Sequence, residues 1–155
     1  MDMVLALALT VGVLIAVFVK VATMISMLWY VGVLGWACFM AAGGRMNGVK
    51  RACAAGLAGM FWVAAAEMTA LVSGQMQLEW VFLGIAAFLI VIQSKLSLFS
   101  FIPAGLIGAA VIGAGGPIGI FDAVTNLRLA IVFVIGVLIG FVAEMIAGAM
   151  ARKRV

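Results

Sequence analysis

Histidine is absent from this chain, and only five residues are acidic. Without imidazole, and with carboxylates this scattered, no haem, zinc or di-iron site can be built from a familiar ligand set. A Ser–His or Cys–His nucleophile is excluded on the same ground. No metal or cofactor is expected, and the chain is not expected to be an enzyme. Cysteine is almost as rare. Cys38 lies inside an apolar run and Cys53 follows a basic loop, which suits two packing residues better than a disulfide. No phosphate loop, dinucleotide fingerprint or kinase signature occurs. Charged residues make up 9% of the chain, where a soluble domain carries about 25%. The net charge of +4 forms no basic stripe interleaved with aromatics, so nucleic acid is not an expected partner.

What is abundant is apolar. Hydrophobic residues make up 68% of the chain, and the mean hydropathy is +1.41. A chain of 155 residues could not cover that much apolar surface in water, whereas in a bilayer it can face lipid. The expected fold is all-α, a polytopic membrane helix bundle of about six transmembrane helices forming a single domain over 1–155. A hydrocarbon core of ~30 Å needs about 20 helical residues. Runs of suitable character cover 3–19, 22–42, 52–72, 80–92, 98–115 and 129–150. The first begins with Met1-Asp2, acidic rather than basic, and ends at Lys20 without the Ala-x-Ala type cleavage site of a secretory signal, so it is expected to stay as a helix. None of the runs alternates polar and apolar residues as a membrane β-barrel would. Placing both termini in the cytoplasm puts Arg45, Lys50, Arg51, Lys95, Arg152, Lys153 and Arg154 inside, and leaves only Lys20 and Arg128 outside.

Parts of the chain match each other. Gly32-Val33-Leu34-Gly35 corresponds to Gly105-Leu106-Ile107-Gly108 at an offset of 73, and both runs end in glycine pairs, Gly43-Gly44 and Gly115-Gly116. Glu67 is the acid of the third run and Glu144 that of the sixth, at an offset of 77. Halves 1–75 and 76–155, of three helices each, would enter the membrane from opposite sides. That is the inverted arrangement of many transporters, whose solute site lies near the midplane where the halves meet. Coincidence among 19 glycines is the other reading.

A carboxylate within an apolar run faces protein or water rather than lipid, where its charge costs several kcal/mol. Glu67 and Glu144 either stand near the two mouths of a pathway or are interfacial acids, with Glu144 then pairing with Arg152 or another base. Gly136, Gly140, Glu144 and Gly148 recur every four residues along one slowly drifting helix face. Glycines at such spacing let helix backbones approach closely. Gly32, Gly35, Gly105, Gly108, Gly136, Gly140 and Gly148 are therefore expected at helix contacts, within one subunit or between copies in a homo-oligomer. In the stretch 92–103, Gln93, Ser94, Lys95 and Ser100 either face a solute at a constriction or form an ordinary turn. In the second case Pro103 stands in the first turn of the next helix. Trp29, Tyr30, Trp36, Trp62 and Trp80 suit interface or packing positions.

That same stretch carries a family resemblance. Ile92-Gln93-Ser94-Lys95 followed by Ser100-Phe101-Ile102-Pro103 and Ile107-Gly108-Ala109 resembles the core of a family of small bacterial inner-membrane proteins, domain of unknown function 1097. The tract from Trp29 to Gly35 and the loop from Gly44 to Lys50 are also similar to it. Ala104 stands where many members have glycine directly after the proline. The resemblance implies a multi-span protein of the bacterial inner membrane and no particular function.

Two functions fit these features. One is a small-solute channel or transporter, with Glu67, Gln93, Ser94, Lys95, Ser100, Pro103 and Glu144 along a pathway between the halves. The other is a non-transporting scaffold or accessory subunit that binds partner helices through its glycine faces. Where those faces point separates them. The orientation is tested with fusions: a fluorescent protein at the C-terminus should glow, and alkaline phosphatase inserted between residues 73 and 78 should be active. The reverse pattern would overturn the inside assignment of the basic residues.

Overall fold

The computed structural model describes residues 3–114 and 123–152, and every regular element among them is helical. The helices are α1 (Met3–Met24), α2 (Trp29–Ala41), α3 (Arg45–Val72), α4 (Glu79–Ile92), α5 (Ile102–Gly113) and α6 (Ala123–Arg152). Single 3-10 turns lie at Met76–Leu78, Gln93–Lys95 and Ser97–Phe99. The Gly115-Gly116-Pro117 end of the sequence match, Asp122 and the basic Lys153-Arg154 lie outside the described residues.

Four segments are long and apolar enough to cross a membrane: Met3–Met24, Arg45–Val72, Met76–Lys95 and Val124–Ala151. The third is α4 extended by its flanking 3-10 turns. The other two helices are short, 13 residues in α2 and 12 in α5. At 1.5 Å per residue they reach only about 20 Å and 18 Å, against a hydrocarbon core of ~30 Å. The chain is thus an all-α membrane protein with four long segments and two helices, α2 and α5, that fall short of a full span.

The boundaries differ from the hydropathy runs for local reasons. The apolar stretch 22–42 is not one helix. α1 continues through Lys20, whose long stem can carry its ammonium clear of an apolar surface, and stops four residues later. Met27 N–H donates to the Ala22 carbonyl at 2.8 Å while Ser26 turns left-handed at φ 54°. α2 ends in the same way. Gly44 N–H donates to the Phe39 carbonyl and Gly43 N–H to the Met40 carbonyl, both at 3.2 Å, with Gly43 at φ 95°. This is the Schellman arrangement, which wants glycine at the left-handed position. A third example closes α3 at Gly74, φ 67°. The basic loop expected after α2 is largely helical, since α3 already starts at Arg45 and Lys and Arg are good helix formers.

Two compact units make up the chain, Met1–Val49 with Val132–Val155, and Lys50–Ile131. Each takes in part of both sequence halves.

In the first unit α2 crosses α6. A β-carbon on Gly35 would fall on the Phe133 carbonyl oxygen, and one on Gly136 would fall on the Gly32 carbonyl oxygen. Phe39, Phe133, Val31, Val137 and Cys38 fill the space around the crossing and are fully buried. α1 closes one side, its Phe18 ring lying where a side chain on Gly32 would stand.

In the second unit α5 crosses α3. A β-carbon on Gly108 would fall on the Gly56 carbonyl oxygen, and one on Gly59 would fall on the Gly105 carbonyl oxygen. Ile90 of α4 covers Gly105 from the far side, its Cγ2 lying 2.7 Å from where a β-carbon would stand.

The two crossings correspond contact for contact. Gly32 and Gly35 map to Gly105 and Gly108 at the offset of 73, while Gly59 and Gly56 map to Gly136 and Phe133 at the offset of 77. In both units the same glycine of the pair faces the same partner's carbonyl. Gly59→Ala and Gly136→Ala should each destabilise the protein by about 1–3 kcal/mol, because the added carbon meets backbone that cannot rotate away. Gly84→Ala, with nothing within 4 Å of its β-position, should stay within about 0.5 kcal/mol of the parent. Unfolding in mixed micelles measures all three, and equal effects at the three sites would refute the tight crossings.

Candidate functional site

Each crossing places a carboxylate two turns further along its long helix, because Glu67 follows Gly59 and Glu144 follows Gly136 by the same eight positions. The two acids nevertheless have different surroundings.

Glu144, half-buried on α6, reaches the start of α3. Its Oε2 accepts the backbone N–H of Arg45 at 2.7 Å, across 99 residues of sequence. The first N–H groups of a helix have no intrahelical acceptor, and the N-terminal end of the helix dipole favours negative charge. The chain makes three left-handed residues in a row to present that N–H: Gly43 at φ 95°, Gly44 at 65° and Arg45 at 54°. For a non-glycine residue this is a strained conformation, costing about 1 kcal/mol or more. Gly44 is also needed for space, since a β-carbon there would stand 2.8 and 2.9 Å from the two Glu144 oxygens.

Two cavities share Glu144 and Met3. One of about 290 Å³ is lined by Leu7, Trp36, Phe39, Met40, Gly44 and Gly140. The other, about 400 Å³, is lined by Arg45, Phe141, Met145, Gly148 and Ala149. Gly140, one turn before Glu144, makes room for the aromatic walls. A β-carbon there would meet Trp36 Cδ1 at 2.6 Å and Phe39 Cδ1 at 2.8 Å. Phe39 in turn packs edge-on against Phe141, with ring centroids 6.2 Å apart.

Glu67 has no such cap. It is 3% exposed, and its Oε2 has no hydrogen-bond partner among the described residues. A buried acid left in that state is costly in protein as in lipid.

The stretch 92–103 belongs to the second unit. Gln93 is half-buried, and its Oε1 accepts the Trp62 indole N–H at 2.8 Å. Ser94 and Ser100 turn their hydroxyls back on the chain, donating to the Val91 carbonyl at 2.6 Å and the Ser97 carbonyl at 2.8 Å. Lys95 is exposed, and Pro103 stands in the first turn of α5, where its missing N–H leaves nothing unsatisfied. Among the expected packing glycines, Gly148 meets nothing within 4 Å and borders the larger cavity instead. Sequence reasoning noted Gly44 only as the end of the second run, and passed over the Arg45 N–H, Gly56, Gly59 and the hydrogen-bonding role of Trp62. Gly56 and Gly59 had a signal, because they sit at the offset of 77 from Phe133 and Gly136.

Four spanning helices, two short glycine helices crossed within their own units, and carboxylates inside the apolar segments define a polytopic α-helical membrane protein. The chain belongs to the family described as protein of unknown function (DUF1097), whose model matches residues 8–148. It is similar to inner membrane protein YcdZ of Escherichia coli strain K12, 32% identical over 117 residues that cover 74% of this chain and 72% of that protein. The protein of the same name from Salmonella typhimurium is 32% identical over 118 residues, covering 74% and 73%. No solved structure matches the chain.

Removing the cap should loosen the start of α3. Glu144→Ala is expected to lower stability by about 1 kcal/mol and to speed amide exchange at Arg45, while Glu144→Gln, which keeps an acceptor, should do less. Hydrogen exchange in micelles reads this directly, and unchanged exchange in Glu144→Ala would mean that the carboxylate does not hold the turn.

Proposed function

We propose that this protein is a small-solute channel or transporter of the bacterial inner membrane, non-enzymatic and working as a homo-oligomer with both termini in the cytoplasm. The observation that carries the reading is the matched pair of short helices. α2 and α5 occupy corresponding places, are interrupted by glycines at corresponding positions, and pack on long helices that each bear an acid two turns on. Short, glycine-interrupted segments in corresponding positions of two halves are the sequence-level pointer to a transporter's solute site. On this reading the chain is a duplication of a three-helix unit, inverted in the membrane, and Glu67 and Glu144 belong to the pathway.

The buried Glu67 supports it further, since an uncapped acid so enclosed by protein suits exchange with a proton or cation better than a packing role. The scaffold alternative draws less support. Six of the seven glycines it would offer to partner helices are buried in contacts inside the chain's own units.

Purified protein in liposomes, followed by stopped-flow light scattering over a panel of small neutral and charged solutes, tests the proposal. A selective flux is expected, altered about tenfold or more by Glu67→Gln, with Glu144→Gln and Lys95→Ala compared in parallel. A tenfold change corresponds to about 1.4 kcal/mol at the barrier. Folded, inserted protein with no flux above empty liposomes for any solute would sink the transport reading.

A further inference from the structure

We propose that the cavity beside Glu144 binds the primary ammonium group of a small ligand that also carries a hydrogen-bond acceptor. The cavity, about 290 Å³, lies within the first unit and has apolar and aromatic walls from Leu7, Trp36, Phe39 and Met40. Two polar groups interrupt those walls. One is the Glu144 carboxylate, of which Oε2 takes the Arg45 N–H at 2.7 Å and Oε1 receives no hydrogen bond among the described residues. The other is the Trp36 indole. Its side chain is 4% exposed, and its N–H has no acceptor among the described residues.

Charge decides the class of ligand. No Lys or Arg side chain pairs with Glu144 among the described residues, and the Arg45 side chain is exposed, bordering the neighbouring cavity. The carboxylate therefore meets one N–H and a helix end, with acceptor capacity left over. An anion would be repelled there, and a neutral ligand would leave the charge uncompensated in an apolar pocket. A cation completes it. To reach Oε1 with a charge-assisted hydrogen bond the cation must itself donate N–H, which selects a primary ammonium over a quaternary one. The free Trp36 N–H then calls for an oxygen on the same ligand, a hydroxyl or a phosphate ester. Ethanolamine carries both groups, whether as a free solute or as a lipid headgroup. Identifying it with the transported solute rests on the transport reading; binding at this cavity does not.

The test uses full-length protein in nanodiscs of phosphatidylcholine, which supplies no primary amine, titrated with ethanolamine, choline or ethylene glycol and followed by thermal shift. Ethanolamine should raise the melting temperature saturably, and the other two should not at the same concentrations. Trp36→Phe, which keeps the ring and removes the N–H, and Glu144→Gln should each weaken binding about tenfold or more, worth about 1.4 kcal/mol. Where Glu144→Gln fails to fold, Trp36→Phe alone decides. Discs containing phosphatidylethanolamine separate the two sources. Loss of ethanolamine binding there assigns the site to the headgroup, and undiminished binding assigns it to the free solute. No saturable shift in folded parent protein, equal shifts with choline or ethylene glycol, or full affinity in both variants would overturn the proposal. Absence of flux in liposomes alongside intact binding would remove the transport reading and leave this site standing.

Discussion

Backbone lying directly on backbone at the two glycine crossings is the contact on which the remaining architecture depends. In lipid, two apolar helices gain nothing by leaving a solvent as apolar as themselves. Their association rests on close packing and on whatever polar contact the approach allows. Glycine permits the closest approach, and here the carbonyl oxygens of Gly32, Phe133, Gly105 and Gly56 occupy the space that β-carbons would take. α2 and α5 need this more than the other helices. Too short to be held by matching the thickness of the bilayer, they are fixed chiefly by what they touch. The crossings also set register. Once Gly136 lies on Gly32, the α6 positions two turns on come to the end of α2, and Glu144 arrives beside the Gly43-Gly44 turn.

The two acids illustrate how one sequence position acquires two characters. Glu67 and Glu144 stand at equal distances from equivalent glycines, yet one caps a helix start beside two cavities and the other is buried with an oxygen unpartnered among the described residues. A capped acid is satisfied in its resting state. An uncapped, buried one gains from any proton or cation that reaches it.

Much of the fold was legible in the residues, because hydropathy over about 20 positions reports lipid exposure directly. α1, α3 and α6 follow from it, while the helix contacts of Gly32, Gly35, Gly105, Gly108, Gly136 and Gly140 were read from the spacing and matching of the glycines. The shortness of α2 was hidden, since the turn at Ile25–Leu28 is as apolar as the helices it joins and a left-handed serine leaves no trace in a hydropathy profile. The Glu144–Arg45 bond was hidden too. It joins residues 99 apart through a backbone N–H, a group every residue except proline possesses. The Trp62–Gln93 bond fits the same account: each residue was noticed separately, but nothing in the spacing of 31 positions pairs them.

The sequence separation of the crossings bears on how the protein is made. α5 emerges after its partner, so Gly56 and Gly59 are already in place when Gly105 leaves the ribosome. α2 has no such luck: Gly136 is translated roughly 100 residues after Gly32, a delay of about 5–20 s at ordinary elongation rates. Throughout that interval a 13-residue helix, too short to partition stably by itself, lacks the surface that will hold it. Of the surfaces α2 touches in the finished unit, α1 is the one already made during that interval, and α6, synthesised later, is the helix that locks the first unit.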